Sequence, residues 1–272
     1  MLFNLLMYVF MAVMIVRIIS MNAQRKKNFR TTELLRNVND SAMFNEIADR
    51  LEQENQKDIV FLNELKVFRL WEQAMNRRYD AFRKSLEEIN LNDYISEGRK
   101  GMEVNEVAFF YLLHTIPNIF YGQEDEEMRK LVAEKAETVR EKLSNQMIWM
   151  IYEANEAMYD GSPEKAVPLY EKILDGDYEG IAYGKSMISV YKKICAVMLA
   201  WYYKDRDEEK FNEFKGDLEA FNQMNVGRRW IRNLGIEMSD EEEAAEETES
   251  EETSEEEPAE EEPAETESEE KE

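Results

Sequence analysis

One histidine and one cysteine bound the chemistry open to this 272-residue chain. A nucleophile pair needs Cys195, or a serine, beside His114 in space. Cys195 sits in Lys193-Ile194-Cys195-Ala196-Val197, where a cysteine packs as a small hydrophobe. A reactive thiolate needs exposure and a positive neighbour instead. His114, in Tyr111-Leu112-Leu113-His114-Thr115, has no carboxylate nearby in sequence and reads as a core or groove residue. A single cysteine excludes an intramolecular disulfide and a cysteine-cluster metal site, and a single histidine excludes a His-pair site. Gly98 and Gly101 are too few to cradle phosphate and lack the strand context of such a loop. No catalytic residue, cofactor or metal is expected, and the chain reads as a non-enzyme.

The elements that must position these residues divide by composition. The formal net charge is −25, and residues 239–272 carry −19 of it through twenty Asp or Glu against one Lys. That tail has no aromatic or large aliphatic residue, cannot bury enough surface to offset ordering entropy, and is expected to be disordered. It repeats itself: Glu255–Ala259 and Glu260–Ala264 are both EEEPA. Charge density rather than one fixed recognition sequence is the implied requirement. A solubilising brush, a docking strip for a basic partner, and cation buffering or phosphorylation at the Ser and Thr sites are the readings. Such a tail would repel nucleic acid, so no nucleic-acid partner is expected; since the sequence assembles no site, no small-molecule substrate is expected either.

Residues 2–20 form an apolar stretch whose only strongly polar side chains are Asn4 and Arg17, the latter near its C-terminal end. At about 1.5 Å per residue this spans a hydrocarbon core of roughly 30 Å. Arg17, Arg25, Lys26, Lys27 and Arg30 follow the apolar residues and none precedes them. The positive-inside bias therefore predicts a single-pass cell-membrane anchor over 1–20, with the N-terminus outside and the body in the cytoplasm. A basic juxtamembrane linker over 21–40 would also attract anionic lipids. A cleaved signal peptide would need its positive charges before the apolar stretch.

No Gly or Pro occurs before Gly98, which leaves few tight turns for sheets and points to long helices. Apolar residues recur at three- and four-residue spacing: Phe44, Ile47, Ala48 and Leu51; Phe61, Leu65, Phe68 and Met75; Tyr79, Phe82, Leu86 and Ile89. The stripes Met128–Leu143, Ala166–Ile173 and Phe211–Phe221 continue the pattern. Val107–Tyr121, Met147–Met158 and Met187–Tyr203 are apolar nearly all round and are expected inside the array. Asp160-Gly161-Ser162-Pro163 separates one helix pair, with Gly161 ending a helix, Ser162 capping the next and Pro163 in its first turn. Asp207 is a cap in the turn that follows Lys204.

Residues 147–175, with Ala154, Gly161, Ala166, Tyr170 and Ile173, resemble a tetratricopeptide repeat. The Phe211 hairpin resembles it loosely, since Phe211 follows Ala166 by 45 residues where the family repeat has about 34. The resemblance implies an all-α body over 41–238, a tetratricopeptide-like array of helical hairpins (an α-solenoid), with a concave surface that binds protein and performs no chemistry. Ile151, Asn155 and Met158 on the first helix of this hairpin are the candidate groove residues; the alternative makes them inter-repeat core. The expected function is a membrane-anchored adaptor or scaffold for protein partners. The alternatives are a membrane-associated enzyme or regulator without a recognisable motif, and an envelope or secretion component with its body outside.

Overall fold

A computed structural model describes residues 31–98, 101–121, 126–144, 146–178 and 185–236. The expected anchor (2–20), with Arg17, Arg25, Lys26, Lys27 and Arg30, and the acidic tail (239–272) lie outside these residues. Among the described residues no helix is long and apolar enough to cross a membrane. The described chain is mostly helical, as its composition requires.

Short polar side chains start several of the helices. Asp40 accepts from the amides of Ala42 and Met43 and opens α1 (Ser41–Glu54), and Asp58 accepts from Phe61 N to open α2 (Ile59–Met75). Leu34 and Val38 are already buried ahead of α1, and Asn76 Nδ2 donates to Val38 O at 2.7 Å. The packed body thus begins inside the segment read as a linker. The turn after α2 leads to α3 (Tyr79–Glu88), which buries Phe82 and Leu86.

Two short antiparallel strands, β1 (Ile95–Gly98) and β2 (Gly101–Val104), pair with Ile95 opposite Val104 and Gly98 opposite Gly101. The wholly helical reading did not anticipate them. They occupy the first place where the sequence supplies two closely spaced glycines, and a Cβ on Gly98 would lie 2.1 Å from the Glu103 carboxylate.

The innermost element follows. Asn105 caps α4 (Glu106–Phe109) through Ala108 N; the helix continues as a π-helical stretch (Phe110–Thr115) and then as α5 (Ile116–Phe120). Pro117 has no N–H to return to the preceding turn, which favours the wider hydrogen-bond pitch just before it. Tyr111 meets the rings of Phe68 and Trp71 of α2 at 5.1 and 5.0 Å between centroids. Because α2 packs against α1, α3 and this helix together, it is buried nearly all round, including Val67, Leu70 and Glu72. The one-sided stripe read from its sequence described only part of that surface.

The chain then forms α6 (Glu126–Glu137) and the one-turn α7 (Arg140–Leu143), separated by a turn at Thr138 and Val139 that breaks the expected continuous stripe. Helices α8 (Met147–Tyr159) and α9 (Pro163–Asp175) form the hairpin expected of 147–175, and α10 (Lys185–Tyr203) packs on α9. Gly161 takes φ +72° and Pro163 starts α9 as read, whereas the Ser162 side chain makes no capping bond. Asp207 does cap, accepting from Lys210 N to start α11 (Glu208–Glu213). Helices α12 (Lys215–Asn222) and α13 (Asn225–Asn233) complete the described elements.

Helix α13 returns to the first half of the body. Asn233 Nδ2 donates to Asn118 O at 3.2 Å and to its Oδ1 at 3.1 Å, and Arg229 Nη2 reaches Asn39 Oδ1 at 3.4 Å. These contacts lie beyond the packing of successive hairpins on one another and bring α13 to α2 and α5.

Candidate functional site

The residues with chemical potential are sealed in the core. His114 and Cys195 have no exposed surface. Burial lowers the His114 pKa to about 3 and pushes the Cys195 thiol well above its ordinary range, so both are neutral at physiological pH. His114 Nδ1 lies 3.5 Å from Asn155 Nδ2, its ring meets the edge of Tyr191 at 5.5 Å, and Tyr170 OH donates to Asn155 Oδ1 at 2.7 Å. This cluster joins the π-helical stretch, α8, α9 and α10. Its neutral groups supply hydrogen bonds within the core.

The three candidate groove residues separate. Ile151 is fully buried and Asn155 is 1% exposed, so both belong to the core and neither lines a surface. Met158, one turn further along α8, reaches the wall of a cleft of about 380 Å³. Tyr121, Pro163, Trp201 and Tyr202 line the same cleft, and Lys204 and Arg206 stand at its edge.

Packing holds that cleft in shape. Tyr121 stacks on Tyr159 at 4.5 Å and meets the edge of Trp201 at 5.5 Å. The Arg206 guanidinium lies 4.7 Å from the centre of the Tyr202 ring and donates to Tyr202 O at 2.7 Å. Lys204 Nζ donates to Gly235 O at 3.1 Å, tying the turn after α10 to the end of α13. Behind Tyr159, Arg129 is nearly buried and pairs with Glu126, Glu156 and Asp160. One cation among three carboxylates leaves an excess of negative charge. Burial chiefly, opposed by Arg129 and aided by Asp160 and Glu126, raises Glu156 to about 7.

What this arrangement offers is a preformed aromatic surface with a polar edge, the composition of protein-binding hot spots. Sequence reading pointed to Met158 but passed over Tyr121, Trp201 and Tyr202 as individuals. They close the two apolar runs Val107–Tyr121 and Met187–Tyr203, and aromatic residues at the ends of buried helices were the available signal. Among the described residues no group of three or more His, Cys, Asp or Glu side chains is arranged to hold a metal ion. Compared with known proteins, the chain matches no family model, no curated protein and no solved structure.

Proposed function

We propose that this protein is a single-span, membrane-anchored, non-catalytic adaptor whose tetratricopeptide-like helical body holds a partner protein at the cytoplasmic face. The observation that carries the reading is the cleft of Met158, Tyr121, Trp201 and Tyr202, in which partly buried rings are held by neighbouring rings and by Arg206. Rigid aromatic groups lose little side-chain entropy on binding, so such a surface favours insertion of an apolar or aromatic side chain from a partner. The anchor rests on the apolar residues 2–20 and on the positive charges that follow them.

Two measurements on the full chain test this. A tag after Glu272 is expected to survive protease in intact cells and to be cut after lysis, with the protein in the membrane fraction. A photo-crosslinking residue at Tyr202 is expected to capture a discrete partner, and Trp201→Ala is expected to abolish that capture. Cleavage of the tag in intact cells would put the body outside and make an envelope role the better reading. Crosslinking at Tyr202 no greater than at the exposed Glu88 would remove the cleft from the proposal.

A further inference from the structure

The aromatic cleft limits the shape of segment that can enter it. Its volume of about 380 Å³ corresponds to a cube roughly 7 Å on a side, whereas an α-helix with its side chains is about 10 Å across. A whole helix therefore does not fit. The walls come from the end of α5, from α8, from the turn into α9, from the end of α10 and from the residues after α13. None of these is a strand, so an incoming segment finds no sheet edge to extend. The shape that remains is an extended segment paired with no strand, as in polyproline II, whose backbone makes no internal hydrogen bonds.

The chemistry of the walls narrows the sequence of that segment. Tyr121, Trp201 and Tyr202 offer flat apolar faces, and each side chain also carries an O–H or N–H donor. A polyproline II segment lays proline rings on such faces and leaves its carbonyls open as acceptors. Its conformation is preformed, so it loses little entropy on docking. Aromatic clefts can also cage a cation. Here cations already stand on rings at this end of the body: Arg206 lies 4.7 Å from the centre of Tyr202, and Lys210 lies 4.6 Å from that of Tyr203. A positively charged occupant would meet their repulsion. At the edge of the cleft Lys204 and Arg206 outnumber Asp205, while Glu126, Glu156 and Asp160 nearby are engaged by Arg129. Lys204 gives one of its three N–H donors to Gly235 O, and Arg206 gives one of its five to Tyr202 O. Both residues are exposed, which leaves donors for an incoming carboxylate.

We propose that the aromatic cleft binds an extended, proline-containing segment of a partner protein, with acidic residues beside the proline meeting Lys204 and Arg206. This rests on the adaptor reading and supplies the chemistry of its partner. Proline against Tyr121, Trp201 and Tyr202 provides the apolar anchor, and the rings are already fixed by their own packing. Carboxylates at the edge form charge-assisted hydrogen bonds and set the direction in which the segment lies.

The test uses the full chain in phosphatidylcholine nanodiscs and the fluorescence anisotropy of three synthetic peptides. The first joins a run of prolines to a run of aspartates, the second has alanine for each proline, and the third has lysine for each aspartate. Saturable binding of the first, at least fivefold tighter than of either other, is the expected result. Lys204→Gln keeps a donor for Gly235 O at an exposed position. It is expected to weaken the first peptide at least threefold and to reduce the salt dependence of binding, with the thermal midpoint unchanged. Equal binding of the alanine or the lysine peptide overturns the proposal, and so does undiminished binding by Lys204→Gln. A partner captured at Tyr202 in cells, when the first peptide does not bind, would keep the adaptor reading and overturn this one. Selective binding of the first peptide, when Tyr202 captures no partner, would support the preference of the cleft and remove the adaptor reading. Crosslinking of Tyr202 to lipid once phosphatidylserine is included, with no peptide bound, would assign an anionic headgroup instead and overturn the proposal.

Discussion

Tyr170 OH donates to Asn155 Oδ1 at 2.7 Å across the α8–α9 hairpin, with Tyr170 fully buried and Asn155 1% exposed. The aromatic residue four positions after Ala166 thus packs against the first helix of its hairpin and also satisfies a polar group that would otherwise be stranded in the core. Tyr170→Phe removes the donor and leaves the Asn155 carbonyl unsatisfied. It is expected to lower stability by about 1–3 kcal/mol in urea denaturation. Adding Asn155→Leu is expected to cost less than the sum of the two single changes. Strict additivity would show that the bond contributes nothing.

Glu72 and Arg78 form an asymmetric pair. Glu72 is 1% exposed and accepts from Ser41 Oγ, Asn76 Nδ2 and Arg78 Nη1, while the Arg78 side chain is 37% exposed. Removing Arg78 strands a buried carboxylate; removing Glu72 leaves Arg78 within reach of water. Arg78→Leu is therefore expected to cost about 3–5 kcal/mol and Glu72→Leu about 2 kcal/mol. Equal losses in matched denaturation curves would contradict the burial argument.

Two buried groups give opposite pH dependences. Folded Glu156 keeps its proton up to about pH 7, whereas the ordinary value is 4.5, so its stabilising contribution is complete below 4.5 and is lost as pH rises toward 7. Folded His114 stays neutral down to about 3 while the unfolded chain takes up a proton below 6.5, so stability falls as pH drops from 6.5 to about 3. Each slope approaches about 1.4 kcal/mol per pH unit, and they offset one another between 4.5 and 6.5. Relative to wild type, Glu156→Gln is expected to begin losing stability near pH 6.5, and His114→Phe to resist acid below 4.5. Parallel curves for the two variants would refute this assignment.

Gly227 and Gly216 separate steric need from helix propensity. A Cβ on Gly227 would lie 1.9 Å from Phe221 O, a backbone atom that cannot step aside, whereas a Cβ on Gly216 meets nothing within 4 Å. Gly227→Ala is expected to push α13 away, parting Trp230 from Phe221, at about 2–3 kcal/mol. Gly216→Ala is expected to add about 0.5–1 kcal/mol. Thermal melts of the two variants should shift in opposite directions; a neutral Gly227→Ala would show that α13 docks more loosely than its contacts imply.

Much of the body was legible one helix at a time. Phe44, Ile47, Ala48 and Leu51 are the buried face of α1, and Asp207 is a cap, because spacing and short-range hydrogen bonding are properties of local sequence. The candidate site was legible only at Met158. Ile151 lies two turns nearer the start of α8 on a helix apolar nearly all round, and hydropathy alone does not tell which part of such a helix a neighbour leaves open. Ser162 has the right residue type for a cap, yet its side chain makes no capping bond.

By itself the sequence determined the helical class of the body, the apolar N-terminal segment with its trailing positive charges, and the acidic character of residues 239–272, since each follows from composition or from periods of a few residues. Tertiary structure decided the rest. The return of α13 to Asn39, Met75 and Asn118 joins residues 115 to 190 positions apart. That return lines Arg229 and Arg232 up with Arg77 along one cleft, while Trp201 and Tyr202 line the separate aromatic cleft. Local propensity carries no information about such distant pairings; the burial of two-sided helices such as α2 selects among the closures of the chain, and each cleft lies where the selected closure leaves a gap.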